Sequence, residues 1–147
     1  MKFVCSLFAV AAIAVFVSAE DKPKFDAAKL EGKWKFTEGA KSGTKVEAKN
    51  LESEVTITKD SFTIKGGGET HVMSFKIDAT KSPIQIDMEG KEGASAGTKA
   101  EGIIELDGDT IKLAYGTNIP GFEAKRPGKF ESTADNKAFY FVMKRAK

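Results

Sequence analysis

His71 is the only histidine in the chain and the first candidate for acid–base chemistry. A histidine that acts as a general base needs a nucleophile to deprotonate and a carboxylate to orient its ring. No Gly-x-Ser-x-Gly sequence accompanies His71, and the residues around it alternate between apolar and polar. We therefore interpret His71 as a partly exposed residue near one end of a strand, and we expect that the protein is not an enzyme.

Two further stretches contain residue types that bind ions. Asp107 and Asp109 flank Gly108, but a calcium loop needs several more oxygen ligands at fixed spacing, so a hairpin turn explains the pair. Residues 66–68 are three glycines, but a phosphate-binding loop would continue into Gly-Lys-Ser/Thr and a helix. A zinc site needs several ligands, mainly histidine or cysteine, so His71 alone does not predict one. We expect no metal and no cofactor.

Arg126 is the charged residue best suited to hold a ligand. It precedes Pro127 in a long connection rich in proline and glycine, and its planar guanidinium can bind both oxygens of a carboxylate or phosphate. The alternative is an ion pair that anchors this connection to the protein. Aromatic and methionine side chains on the predicted strands would give an adaptable apolar lining, or equally an ordinary core. The candidate ligand-binding residues are Phe36, Met73, Met88, Tyr115, Arg126 and Phe139.

Residues 1–19 differ from the rest of the chain and have the pattern of a secretory signal peptide. Lys2 gives a positive start, residues 3–17 are almost wholly apolar, and small residues precede a cleavage site after Ala19. A membrane anchor is the alternative, but the apolar run is shorter than the roughly 20 residues that span a bilayer. We predict a mature domain over residues 20–147 in an extracytoplasmic location, either periplasmic or secreted.

The composition limits how the mature domain is stabilised and what it binds. Cys5 is the only cysteine and lies in the predicted leader, so the mature chain would contain no disulfide and must depend on packing. The net charge is +2, and the lysines alternate with acidic and apolar residues. Since no basic block is present, nucleic acid is not an expected partner. We also expect no membrane span in the mature chain, and a monomer.

The mature sequence has a short helical piece followed by eight strands. Asp26 can cap a helical turn over residues 25–30, and Gly32 can adopt the positive φ that ends it. Apolar and polar residues then alternate with the period of half-buried strands. The eight predicted strands are Trp34–Thr37, Glu54–Thr58, Phe62–Lys65, Thr70–Ile77, Ile84–Met88, Lys99–Leu106, Thr110–Tyr115 and Ala138–Arg145.

Eight successive strands joined by turns favour a meander that closes into a barrel, because closure leaves no edge. The predicted fold is all-β: an eight-stranded antiparallel up-and-down barrel with a short N-terminal helical turn. The helical piece and three short turns would plug one end, and such a barrel is either filled by side chains or able to hold one small ligand. The other end would carry the connections 39–53, with a helical turn near 47–51, and 66–69, 89–98 and 116–137.

The sequence Gly32-Lys33-Trp34 after a helical turn resembles the start of lipocalins, in which a Gly-x-Trp opens the first strand. This resemblance implies that Arg145, at the end of the last strand, packs over Trp34 and forms a structural floor at the closed end. Further stretches extend the similarity over most of the mature chain: Leu30–Trp34, Lys81–Asp87, Leu106–Leu113, Arg126-Pro127 and Phe141–Arg145. They resemble a largely uncharacterised family of small exported lipocalin-like proteins best known from planctomycetes.

The resemblance implies a fold and export, with Ala114 at a position where members of that family often carry a cysteine. That family is largely uncharacterised, so the resemblance implies no known activity. Our first hypothesis is a binding protein that holds a small apolar or amphipathic ligand in the mouth of the barrel. The alternative is a filled barrel that serves as a structural or protein-interaction module. The expected partner is therefore either a small hydrophobic ligand or another protein.

Overall fold

The computed structural model describes residues 25–147, and the leader predicted for residues 1–19 lies outside this range. No helix within residues 25–147 has the length and apolar character needed to cross a membrane. The described chain forms two 3₁₀ helices, Ala27–Leu30 and Ala48–Leu51, and nine strands. The strands are β1 (Gly32–Lys41), β2 (Thr44–Lys45), β3 (Glu54–Ile57), β4 (Ser61–Gly66), β5 (Glu69–Asp78), β6 (Ile84–Gly93), β7 (Lys99–Asp107), β8 (Thr110–Thr117) and β9 (Phe139–Arg145).

All nine strands belong to one antiparallel sheet that closes on itself. The strands from β3 to β9 pair in chain order, and β1 pairs with both β3 and β9, so eight strands form a closed barrel. The two-residue strand β2 only extends the end of β1 as a hairpin. The predicted all-β, eight-stranded up-and-down barrel with a short N-terminal helical turn is confirmed.

The strand β1 is longer than the sequence predicts. Its pairing with β9 continues to Lys41, and a bulge between Phe36 and Glu38 shifts the register. The prediction that residues 39–53 form one loop was therefore wrong, because main-chain pairing extends the strand through glycine and polar residues that have little strand preference. The helical turn predicted near residues 47–51 is confirmed as the second 3₁₀ helix.

The strand β6 also continues beyond its predicted end. Residues 89, 90, 92 and 93 stay paired with β5, and residue 89 also pairs with β7. The loop predicted over residues 89–98 is therefore reduced to 94–98. The glycines in this stretch misled the prediction, since glycine usually marks a loop but is tolerated at a bulge. A register shift between Val72 and Met73 on β5 accommodates the extension.

The lower half of the barrel is a filled core. Inward residues from all eight barrel strands alternate with polar residues that face outward, as a half-buried sheet requires. Leu30 of the first 3₁₀ helix adds its side chain from below and is fully buried. The buried core in this half comprises Leu30, Trp34, Ile57, Phe75, Ile86, Ile104 and Ile111.

The floor of the barrel is formed by Trp34 and Arg145, which lie opposite each other on β1 and β9. The Trp34 ring is fully buried, and its Nε1–H donates a hydrogen bond to the Leu30 carbonyl oxygen at 2.8 Å. The Arg145 guanidinium carbon lies 4.3 Å from the centre of the ring, within the range of a cation–π interaction.

Arg145 also fastens the first 3₁₀ helix to the barrel. Its guanidinium donates to the carbonyl oxygens of Lys29 at 2.7 Å and Glu31 at 3.1 Å, which satisfies the end of that helix. Gly32 has a φ of +131°, so its predicted positive φ is confirmed. A Cβ at this glycine would lie 3.0 Å from Arg145 Nη1, so the residue leaves room for the guanidinium.

The long connection between β8 and β9, residues 118–138, crosses the outer wall of the barrel; we call it the strap. Ile103 and Ala114 point outward on β7 and β8 but are buried. The strap passes over this surface: a Cβ at Gly116 would lie 2.8 Å from the Lys125 nitrogen. The prediction that this whole connection lies at the mouth was wrong, because two outward apolar residues need a cover.

Candidate functional site

The upper half of the barrel contains a cavity of about 630 Å³. It lies above the filled core and reaches the end of the barrel that carries the hairpin between β1 and β2, the second 3₁₀ helix and the loop 94–98. Cavities that hold small molecules have volumes of about 300–1,000 Å³. The volume is therefore in the range of a small-molecule site.

Aromatic rings form one wall of the cavity, on β1, β8 and β9. The ring centres of Tyr115 and Phe139 are 5.2 Å apart with planes 7° from parallel. Phe141 lies 6.3 Å from Tyr115 and 5.1 Å from Phe36. These separations are typical of favourable aromatic pairs. The wall is thus a fixed apolar surface.

Two glycines on the inner face give this aromatic wall its space. A Cβ at Gly39 would lie 2.8 Å from Phe141 Cε1, and one at Gly102 would lie 2.8 Å from Tyr115 Cβ. Such distances leave no room for a side chain. The ring of Phe141 therefore packs directly against the backbone at Gly39, and Gly102 leaves room for the Cβ of Tyr115.

The facing wall is aliphatic and contains two methionines. Met73 on β5 and Met88 on β6 line the cavity together with Ile64 on β4. Methionine is unbranched and polarisable, so it adapts to ligands of different shape. A rigid aromatic wall thus faces an adaptable one.

Tyr115 places a hydroxyl group among these apolar residues. Burial raises the pKa of Tyr115 well above its usual range, because the tyrosinate anion would lie in a medium that solvates it poorly. On the outer face, burial also raises the pKa of Tyr140, opposed by the nearby Lys112. The Tyr115 hydroxyl is therefore a neutral hydrogen-bond donor over the ordinary pH range.

Tyr115 and Tyr140 are the two tyrosines of the protein, and burial raises the pKa of both. We therefore expect the absorbance of tyrosinate at 295 nm to rise at higher pH in the folded protein than in the unfolded protein. When folding raises the pKa of a tyrosine, the protonated group stabilises the folded protein at pH values below the pKa of the unfolded chain, which is about 10. This stabilisation is lost as the pH rises above that value. Tyr115→Phe should lose less stability than wild type between pH 10 and 12, as measured by thermal melts. Equal losses would contradict the assigned burial.

Charged residues line the rim of the cavity. Lys41 projects inward at the end of β1, with its Nζ 5.5 Å from the centre of the Phe139 ring. The Glu47 carboxylate is 2.9 Å from Lys49 Nζ, and His71 Nε2 is 3.6 Å from Glu69 Oε2. The latter distance is longer than a hydrogen bond. The rim is polar, whereas the interior is apolar.

The structure brings most of the sequence-predicted ligand residues together. Phe36, Met73, Met88, Tyr115 and Phe139 all line the cavity. Trp34 and Arg145 lie at the opposite, closed end of the barrel.

Arg126 is the exception, since it lies on the outer wall. Its Nη1 donates to the carbonyl oxygens of Gly102 at 2.6 Å and Ile86 at 3.2 Å, and its Nη2 lies 2.6 Å from Asp87 Oδ1. The side chain thus fastens the strap to β6 and β7. This geometry corresponds to the alternative interpretation, in which Arg126 anchors the connection.

Sequence reasoning missed several residues at the cavity. The sequence analysis assigned Lys41 to a loop. It therefore did not predict that Lys41 lies at the end of the inward-facing side of β1. Ala100 and Thr117 pair with each other on β7 and β8 and both line the cavity. A filled barrel would need large side chains at the upper ends of these two paired strands. The small residues found there were the signal in the sequence that predicts a cavity.

A second depression, of about 690 Å³, lies on the surface at the closed end. Phe25, Ile84, Leu106 and Phe130 contribute apolar surface to it, among exposed charged residues. Nothing in the described residues indicates what would occupy it. In residues 25–147 there is also no cluster of three or more His, Cys, Asp or Glu side chains that could hold a metal ion.

Comparisons with known proteins do not extend this description. No protein-family model matches the chain, and neither a curated protein nor a solved structure matches it.

Proposed function

We propose that this protein is an exported lipocalin-like barrel that binds one small apolar or amphipathic molecule in its upper cavity. The cavity of about 630 Å³ supports this proposal most strongly, since aromatic and methionine side chains line it. Export rests on the leader pattern in residues 1–19. The residues that resemble small exported lipocalin-like proteins support the fold and export, and not a particular activity.

The distribution of polar groups supports a binding function for this cavity. Apolar burial favours transfer of a ligand from water at about 25 cal/mol per Å², and the aromatic wall offers flat surface for it. The charged rim, with Lys41, Glu47 and His71, would keep the entrance hydrated. A molecule with an apolar body and one polar end fits this arrangement.

The alternative of a filled structural barrel has less support. Filling would require the upper residues to meet across the axis, whereas a cavity separates Phe139 and Tyr115 from Met73. A protein-interaction role through the rim remains as the competing function. It predicts that a small apolar probe does not bind.

The proposal is tested by titrating the protein with naphthalene in an isothermal calorimeter. We expect saturable binding of one molecule per barrel, with a negative heat-capacity change from apolar burial. The matching control is thermally unfolded protein, which should give no saturable signal. Absence of saturable binding to the folded protein would contradict the proposed function.

A further inference from the structure

The Tyr115 hydroxyl is a polar group held inside an otherwise apolar wall. Its ring stacks on Phe139, and Gly102 leaves room for its Cβ on the neighbouring strand. A phenylalanine would fill the same space, so the hydroxyl adds nothing to this packing. Its presence therefore calls for a separate explanation.

The hydroxyl faces the cavity without a protein partner. None of the side-chain hydrogen bonds described within residues 25–147 involves it. The unpartnered polar side-chain atoms that are sealed from solvent there are Ser42 Oγ and Ser95 Oγ, so the Tyr115 oxygen retains accessible surface. Since Tyr115 lines the cavity and its ring packs into the wall, that surface is the surface of the cavity.

When a ligand fills the cavity and removes water from this donor, the donor costs binding free energy unless the ligand supplies an acceptor, so the site rejects ligands that lack one. Strand β9 lies between β1, which carries Lys41, and β8, which carries Tyr115. The Lys41 ammonium lies at the rim, 5.5 Å from the centre of the Phe139 ring. Thr117 also lines the cavity, but its hydroxyl donates to the Lys99 carbonyl oxygen at 3.1 Å. The Tyr115 hydroxyl is thus an uncharged donor on this wall that is left for a ligand.

We infer that Tyr115 determines specificity by donating a hydrogen bond to an oxygen of the ligand, which is a molecule with an apolar body and an uncharged acceptor such as a carbonyl. This inference rests on the proposed binding function. It names the class of ligand: apolar ketones, esters or similar compounds, held with the oxygen toward β8 and the apolar body against Met73 and Met88.

The test compares two probes of the same shape, naphthalene and 2-acetylnaphthalene, in wild type and in Tyr115→Phe. Loss of one hydrogen bond should weaken 2-acetylnaphthalene about five- to tenfold, while naphthalene affinity should change less than about twofold. Tyr140→Phe removes the same atom from the outer wall and should leave both affinities unchanged. Far-ultraviolet circular dichroism confirms that each variant is folded.

The possible outcomes separate this inference from the proposed function. If both probes bind wild type and Tyr115→Phe weakens neither, or both equally, the inference is wrong and cavity binding stands. If neither probe binds wild type, the proposed function itself fails. A third probe, 2-naphthoate, tests for an anion site. If 2-naphthoate binds more tightly than 2-acetylnaphthalene, and Lys41→Gln abolishes that advantage, the polar group of the ligand lies at the rim and the inference is overturned.

Discussion

Replacing Trp34 with alanine is expected to lower the free energy of unfolding by about 3–5 kcal/mol. The ring is fully buried at the floor of the barrel, so its removal leaves a cavity that the surrounding strands cannot fill. The substitution also removes the Nε1–H donor to the Leu30 carbonyl and the surface on which the Arg145 guanidinium lies. Urea unfolding followed by circular dichroism measures the change.

A second variant keeps this prediction testable if the alanine protein does not fold. Trp34→Phe retains an apolar ring but loses the buried donor, and we expect it to cost about 1–3 kcal/mol. Because Trp34 does not line the upper cavity, folded Trp34→Phe should bind naphthalene as wild type does. A stability within error of wild type for both variants would show that the floor does not depend on this ring.

Filling the cavity from Ala100 should weaken naphthalene binding at least about tenfold. Ala100 is buried, faces inward on β7 and lines the cavity opposite Thr117. A phenylalanine at this position would occupy space that the ligand needs, and part of the upper half would become filled.

The neighbouring residue on the same strand supplies a matched control. Glu101 is exposed and faces outward, so Glu101→Phe adds the same side chain to the outside and should leave naphthalene affinity unchanged. Calorimetry on both folded variants makes the comparison. Equal weakening by the two substitutions would indicate a general effect of the added ring, and no weakening by Ala100→Phe would place the binding site elsewhere.

Alternating apolar residues made the barrel predictable from sequence. The alternation in Ile84–Met88 and Thr110–Tyr115 reports a strand with one buried face, and eight such strands with short turns leave closure as the favoured arrangement. Strand ends were less predictable. The last residues of β1 and β6 stay paired because the adjacent strands continue beside them. This is a tertiary effect, which the local glycine content does not indicate.

The position of Arg126 shows why the site was predicted only in part. Inward residues such as Tyr115 and Met88 follow from strand parity, which the sequence displays. The path of the strap depends on the outward-facing Ile103 and Ala114, which break the alternation on β7 and β8. Their apolar character was the available signal that the connection covers the wall. Arg126 then lies with its guanidinium on backbone carbonyls rather than at the mouth.

The filled and hollow barrels considered from the sequence are both present in this molecule, one above the other. Large inward residues such as Phe75 and Ile104 fill the lower half. The small residues Ala100 and Thr117 leave space in the upper half. The volume of the side chains in each row, rather than the number of strands, decides where the hollow lies.

The location of bound naphthalene tests the central claim most directly. Amide chemical shifts of ¹⁵N-labelled protein should change on titration at cavity-lining positions such as Met88, Tyr115 and Phe139, and remain constant at Trp34 on the floor and Asp87 on the outer wall. That pattern would place the ligand in the upper cavity. Shifts confined to the closed end or the outer wall, or no saturable shifts at all, would contradict the account.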